Sequence, residues 1–173
     1  GVIVVSRGAD GGVCAEVVNS DGSAGGMCGN GIRMVAKLAI ESGYVATDRM
    51  TVAMGGRRVG VEVHRGGDGF VRRARADMGR PVFELERVPV DAAELELAGD
   101  CSWIVHAGGD AFEMTFVSMG NPHGVMFVDT TPGVDKVARL GAMLERHRAF
   151  PERMNVEWAR VVEPGVVEVA TWE

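Results

Sequence analysis

The sequence predicts an α/β (α+β) protein of two similar domains, each with β-strands flanking a single helix. Strand-like runs recur on both sides of two helical segments, and Gly79-Arg80-Pro81 interrupts the pattern near mid-chain. The chain has 173 residues, 46% hydrophobic and 24% charged, which suffices for one ordinary domain or two small ones. We therefore predict an N-terminal domain over residues 1–78 and a C-terminal domain over residues 79–173.

The first half opens with a predicted hairpin. Residues 2–5 form an apolar run, residues 7–12 are rich in turn formers, and residues 13–18 resume strand character. A polar turn over residues 19–23 follows. Three further strands are predicted over residues 50–54, 58–64 and 70–78, because valines alternate with polar residues and glycine-rich turns separate the runs.

One helix is predicted between the hairpin and these strands. It begins near Gly29 or Asn30, directly after Cys28, and Gly43 supplies its C-terminal stop. Its apolar stripe, with Leu38 alongside, is broad, so we expect it to be buried against sheet on more than one side. The residues at helical spacing are Ile32, Val35, Ala36, Ala39 and Ile40.

The second half repeats this arrangement. A helical segment follows Pro132 and carries apolar residues from Val134 to Leu144 at helical spacing. The predicted strands are residues 103–106, 112–119, 125–128, 156–162 and 166–172.

Composition excludes several functional classes. The net charge of −6 argues against a general polyanion binder, so we expect no nucleic-acid partner. Apolar runs are too short to span a bilayer, so no membrane partner is expected. The three cysteines are widely spaced without a CxxC pair, which disfavours a disulfide framework or a zinc site. We expect a cytoplasmic protein, and the missing Met at position 1 suggests a fragment.

Cys28 is the strongest candidate for chemistry. A thiol at a helix N-terminus feels the positive end of the helix dipole and the unpaired amides of the first turn, which favour the thiolate. The neighbouring glycines leave the sulfur accessible, and the amides of Gly29 and Asn30 would suit a carboxylate ligand. The alternative is an inert buried cysteine beside a glycine-rich turn.

Other polar residues carry weaker signals. His123 could act as a base and Asn121 could hold a polar group, although Asn-Pro is common in turns and a turn is favoured here. Asn19 and Asn155 lie at strand ends, where they cap turns or bind ligand groups. Glu173, the last residue, reads as an exposed carboxylate.

The remaining histidines and cysteines have no assigned chemistry. His64, His106 and His147 lack metal-ligand spacing, so no metal site is expected. Cys14 and Cys101 lie in strand-like contexts and read as small buried hydrophobes.

Five sequence blocks, in order, resemble diaminopimelate epimerase from Gly1 to Glu173. The Cys-Gly-Asn-Gly form is more specific than a lone cysteine, because related racemases carry other residues after the glycine. The blocks are Asn19-Ser20-Asp21-Gly22-Ser23, Met27-Cys28-Gly29-Asn30-Gly31-Ile32-Arg33, Asp77-Met78-Gly79 with Pro81, Gly120-Asn121-Pro122-His123, and Phe150-Pro151 with Asn155-Val156-Glu157.

The resemblance implies an isomerase that uses neither pyridoxal phosphate nor metal. It would interconvert LL- and meso-diaminopimelate, a small-molecule substrate of lysine and cell-wall precursor synthesis. The family fold has two similar domains, each a mostly antiparallel sheet wrapped around a central helix, with substrate in the cleft between them. Two cysteines, one per domain, exchange protons on opposite faces of the α-carbon. A homodimer is left open.

Site roles carry over by position. Cys28 corresponds to one cysteine of the pair, and the amides of Gly29 and Asn30 would hold the reacting carboxylate. The resemblance also implies that His123 sits near Cys28 and that Glu173 sits near the partner cysteine, both as catalytic groups. The side chains implied to bind the polar ends of the substrate are Asn19, Asn121, Asn155 and Glu173.

The chain also departs from the family pattern. The second cysteine of the family lies in an Ala-Cys-Gly-Thr-Gly block beyond the position of Glu173, and a Gly-Asn-Asp-Phe segment would precede Gly1. We therefore expect a fragment lacking both ends and inactive alone. Two alternatives remain, another cofactor-independent isomerase or racemase of the same fold and a non-catalytic module.

Overall fold

The computed structural model describes residues 1–8 and 11–173, so Ala9 and Asp10, in the predicted hairpin turn, lie outside the described residues. The chain divides into two compact units, Gly1–Gly79 and Arg80–Glu173. In the described part of the chain, no helix has the length and apolar character needed to cross a membrane.

The first unit is a six-stranded sheet with one helix. The sheet runs in the order β1-β2-β4-β5-β6, and β3 pairs with β2. Among the described strands of this sheet, only β2 and β4 pair in parallel. The elements are β1 (Val2–Arg7), β2 (Val13–Val18), β3 (Ala24–Gly25), α1 (Gly29–Glu41), β4 (Arg49–Met54), β5 (Arg57–Arg65) and β6 (Val71–Ala76).

Helix α1 lies against β2, β4, β5 and β6 through its apolar face. All five residues predicted at helical spacing are buried, and Gly43 ends the helix with a φ of +71°, which glycine adopts without steric cost. Met34 and Leu38 are 65% and 51% exposed. The expectation that sheet covers the stripe on more than one side is therefore wrong at Leu38, because the helix packs through one face.

The end of α1 is tied to β6 by Glu41. Its carboxylate accepts hydrogen bonds from Lys37 Nζ at 2.6 Å and from the Val71 amide at 2.9 Å, and Lys37 also donates to the Val71 carbonyl. The Lys37 hydrogen bond is the main cause of a lowered pKa of Glu41. These contacts fix the orientation of the helix whose other end carries Cys28.

The second unit repeats the plan. Its sheet runs in the order β12-β11-β10-β9-β8-β7, antiparallel except between β10 and β11, and α2 packs on β11 and β12. The elements are β7 (Glu96–Leu97), β8 (Trp103–Ala107), β9 (Asp110–Ser118), β10 (Pro122–Phe127), α2 (Val134–Glu145), β11 (Asn155–Glu163) and β12 (Val166–Trp172).

Close packing joins α2 to the end of β12. A Cβ on Gly141 would stand 2.3 Å from Cγ of Trp172, so only glycine admits the indole at this point. Trp172 Nε1 donates to Glu145 at 3.0 Å. Together these contacts hold the strand end that precedes Glu173.

The predicted fold class is confirmed, with two mostly antiparallel sheets that each pack on one helix. Besides the expectation at Leu38, two local predictions are wrong. Pro122 and His123 belong to β10 and not to a turn, because pairing with β9 and β11 overrides the local preference of Asn-Pro. Cys101 is exposed and outside any strand, since its segment follows the end of β7. The short strands β3 and β7 were not predicted.

Candidate active site

Cys28 is the N-cap residue of α1. Its backbone is extended, with φ −132° and ψ 101°, and its Sγ accepts the amide of Gly31 at 3.3 Å. The side chain is partly buried, in agreement with a thiol that is held in place yet reachable. The sulfur therefore lies beside the amides of the first helical turn, which have no carbonyl partner within the helix.

Glycines allow the close packing around this sulfur. A Cβ on Gly31 would stand 3.2 Å from Cys28 Sγ and 2.7 Å from Cδ1 of Ile3. A Cβ on Gly55, in the β4–β5 turn, would stand 2.8 Å from the backbone nitrogen of Met27. The hairpin turn therefore supports the backbone that delivers Cys28 to the helix start.

The first-turn amides of Gly29 and Asn30 have no carbonyl partner within the helix, since the first turn of an α-helix lacks preceding acceptors. This arrangement suits a carboxylate. The Asn30 side chain does not add to it, because its Oδ1 accepts a hydrogen bond from Arg33 and the residue is exposed.

Asn19 closes the turn after β2. Its amide donates to the Ser23 carbonyl at 2.9 Å, and its side-chain Nδ2 donates to Ser23 Oγ at 3.0 Å. The residue is exposed, and its Oδ1 would stand 3.2 Å from a Cβ on Gly25, in β3. The side chain thus has a structural role in the turn, and its carboxamide oxygen lies at the surface beside β3.

In the second unit, three predicted residues lie at neighbouring ends of the strands β10, β11 and β12. His123 of β10 pairs with Asn155 of β11 in the parallel register. Trp172 of β12 pairs with Val156, so the next residue, Glu173, lies at the strand end beside Asn155. Adjacent paired residues share a face of a sheet, so the imidazole and the carboxamide are neighbours.

His123 has a carboxylate partner. Its Nδ1 lies 2.6 Å from Oε1 of Glu157, two residues along β11 from Asn155. The side chain of His123 is 25% exposed and that of Glu157 is 11% exposed. The pair is therefore largely shielded from water, and about a quarter of the His123 side chain stays accessible.

Glu157 was not assigned a role from the sequence. The signal that could have found it is the alternation in β11, where Val156 and Trp158 enter the core and Asn155 and Glu157 take the opposite face. Its pairing with His123 depends on the parallel β10–β11 contact, which joins segments over 30 residues apart.

Asn121 lies immediately before β10. Its carbonyl accepts the amide of Met119 at 3.3 Å, within a tight turn in which Gly120 has a φ of +115°. The residue is partly buried. The turn thus fixes the backbone of Asn121 two residues before His123.

The other two thiols have different surroundings. Cys14 lies in β2, partly buried between the core residues Val13 and Ala15, which confirms its strand context. Cys101 is exposed, so reagents can reach it although it does not lie at the start of a helix.

Two surface depressions of the first unit do not include Cys28 among the residues that line them. One of about 510 Å³ lies beside α1 and β6 and includes Asn30, Arg33 and Arg73. A depression does not by itself supply a proton-transfer group. We therefore assign the candidate site to the start of α1, where Cys28 offers a thiol.

Several curated proteins similar to this chain are described as diaminopimelate epimerases. Diaminopimelate epimerases of Methanothermobacter thermautotrophicus and Alkaliphilus metalliredigens are 38% and 32% identical, each over 100% of this chain and 59% of their own length. The enzyme of Pelotomaculum thermopropionicum is 37% identical over 93% of this chain and 56% of its own length. The chain spans less than two thirds of these relatives.

No protein-family model matches the chain. Among solved structures, a phenazine biosynthesis protein of the PhzF family from Bacillus anthracis is 11% identical, with a TM-score of 0.44 over 93% of this chain and 53% of that chain. That structural similarity is too weak to support an argument. The sequence similarity is stronger: over its whole length, this chain is similar to diaminopimelate epimerases.

Proposed function

We propose that this chain carries one proton-transfer centre of an isomerase that interconverts LL- and meso-diaminopimelate, in lysine and cell-wall precursor synthesis. The observation that carries the proposal is the position of Cys28, with its sulfur on the Gly31 amide at the N-terminus of α1. The similarity of the whole chain to diaminopimelate epimerases supports the same assignment.

In the proposed reaction, the Cys28 thiolate removes the α-proton of the substrate. Negative charge then develops on the α-carbon and spreads into the adjacent carboxylate. The amides of Gly29 and Asn30 would bind that carboxylate and stabilise the charge, since fixed dipoles act without reorganisation. The acid–base group and the anion site both come from the polypeptide, so the proposed reaction uses neither pyridoxal phosphate nor a metal.

The remaining groups are proposed to hold the polar ends of diaminopimelate. Asn19, Asn121 and Asn155 each offer a carboxamide that can accept from an ammonium or donate to a carboxylate. Glu173 would accept from an ammonium group. His123 would act as a proton acceptor or as a group that orients a reacting partner.

The test is exchange of the substrate α-proton in deuterium oxide, followed by proton NMR, with the purified 173-residue chain. We expect exchange that Cys28→Ser abolishes, because a hydroxyl is far less acidic than a thiol. Cys101→Ser is the matched control and should exchange at the parental rate. Conversion of LL- to meso-substrate should be negligible, since Cys28 alone serves one face of the carbon.

Two results would contradict the proposal. Exchange that persists in the Cys28→Ser variant would mean that another group removes the proton. Absence of exchange in the parental chain, with the substrate at millimolar concentration and the chain folded, would favour a non-catalytic module. Exchange with a different amino acid and not with diaminopimelate would favour another isomerase of the same fold.

A further inference from the structure

We infer that Glu157 is a positioning residue that holds His123 as the Nδ1–H tautomer and so leaves Nε2 free to accept a proton. The inference deepens the proposed function, since it specifies how the imidazole of His123 would act there. It depends on a contact within the second unit alone.

The contact itself is short and shielded. His123 Nδ1 and Glu157 Oε1 are 2.6 Å apart, and the side chains are 25% and 11% exposed. The backbone pairing of His123 with Asn155 sets the two strands in register, and Glu157 follows two residues later on the same face of β11. Both partners therefore stand on rigid strands, which keeps the distance fixed.

Burial of this carboxylate is difficult to explain by stability. Only 8% of the surface of Glu157 is exposed to solvent. Its second oxygen, Oε2, is the one buried side-chain polar atom without a hydrogen-bond partner among the described residues. Buried polar atoms are ordinarily paired, so an exception next to an imidazole points to a role beyond packing.

The chemistry of the pair fixes the tautomer. An ionised carboxylate can only accept hydrogen bonds, so the neutral imidazole must donate from Nδ1. The lone pair then resides on Nε2, which becomes the basic atom of the ring. A carboxylate behind an imidazole also stabilises the positive charge that the ring gains when Nε2 takes a proton.

The test is nitrogen-15 NMR of His123 in the full 173-residue chain, on the neutral ring at alkaline pH and without substrate. We expect a protonated Nδ1 and an unprotonated Nε2. In Glu157→Leu, which keeps the bulk but not the acceptor, the ratio of Nδ1–H to Nε2–H should fall about tenfold or more, as expected for loss of a hydrogen bond to a charged acceptor.

Two further variants sharpen the measurement. Glu157→Gln replaces the charged acceptor by a neutral one, so its Nδ1–H to Nε2–H ratio should fall measurably below the parental value but less than in Glu157→Leu, which also covers the case in which the leucine variant fails to fold. Glu168→Gln removes an exposed carboxylate of β12 that pairs with Arg160, and it should leave the His123 resonances unchanged.

The inference is overturned if parental His123 is the Nε2–H tautomer, or if Glu157→Leu and Glu157→Gln both keep the parental ratio. Because the measurement needs no substrate, it is independent of the exchange assay. If the expected tautomer is found but the chain exchanges no α-proton, the result counts against the proposed function. If the chain exchanges the α-proton but His123 is the Nε2–H tautomer, the result counts against the role of Glu157.

Discussion

The β4–β5 turn should control both the stability of the first unit and the environment of Cys28. Gly55 and Gly56 have φ values of +56° and +73°, as in the hairpin turn that requires two left-handed residues. A Cβ on Gly55 would stand 2.8 Å from the Met27 nitrogen and 3.0 Å from the Gly26 carbonyl carbon, whereas a Cβ on Gly56 would meet nothing within 4 Å. The two alanine variants therefore form a matched pair.

The expected magnitudes separate the two variants. Alanine in the left-handed region costs roughly 1–2 kcal/mol, and both variants carry that strain. Gly55→Ala adds overpacking against backbone that cannot rotate away, about 1–3 kcal/mol more. The free energy of unfolding should thus fall by about 1–2 kcal/mol in Gly56→Ala and about 2–5 kcal/mol in Gly55→Ala.

Thermal unfolding followed by far-ultraviolet circular dichroism measures this difference, at roughly 4–8 °C per kcal/mol for a unit of this size. Mass-mapped alkylation should also report a changed labelling rate of Cys28 in Gly55→Ala and an unchanged rate in Gly56→Ala. Equal destabilisation by the two variants, or an unaltered Cys28 rate in Gly55→Ala, would refute the claim that this turn supports the thiol.

Two further predictions concern helix α2 and the loss of stability at acid pH. Gly141→Ala should destabilise the second unit by about 1–3 kcal/mol, because a Cβ would stand 2.3 Å from Trp172 Cγ. Gly60→Ala is the control, since a Cβ there meets open space, and it should be near neutral in the same thermal assay. Similar melting temperatures of the two variants would contradict this prediction. Glu41 has a lowered pKa in the folded chain, so its contribution to stability is present above the unfolded value, near 4.5, and is lost as the pH falls through the folded value. The stability difference between the parental chain and Glu41→Gln, from urea midpoints, should therefore shrink from pH 7 to acid pH, and a growing difference would disprove the assignment.

Local patterns predicted much of the first unit. Helical spacing of apolar residues gave α1, and the glycines around Cys28 indicated the helix start that the structure confirms. The error at Leu38 has a physical reason, since spacing identifies an apolar stripe but not how much of it a sheet covers. Both ends of the helix were predictable because capping depends on neighbours in sequence.

Long-range pairing limited the prediction of the second unit. Asn-Pro favours a turn locally, but β9 and β11 recruit Pro122 and His123 into a strand. The partnership of His123 with Glu157 arises only when β10 and β11 run side by side in parallel, and no local pattern encodes that register. Cys101 was misjudged because it lies in the connection between β7 and β8, beside Asp100 and Ser102, and in neither strand.

The most direct test of the central claim, that Cys28 works on diaminopimelate, is mass-mapped alkylation of the folded chain with and without this compound. Cys101, exposed in the second unit, is the internal control. We predict that diaminopimelate slows labelling of Cys28 in a saturable manner and leaves the rate at Cys101 unchanged. Labelling of Cys28 that is indifferent to saturating diaminopimelate, or equal slowing at both thiols, would contradict the account.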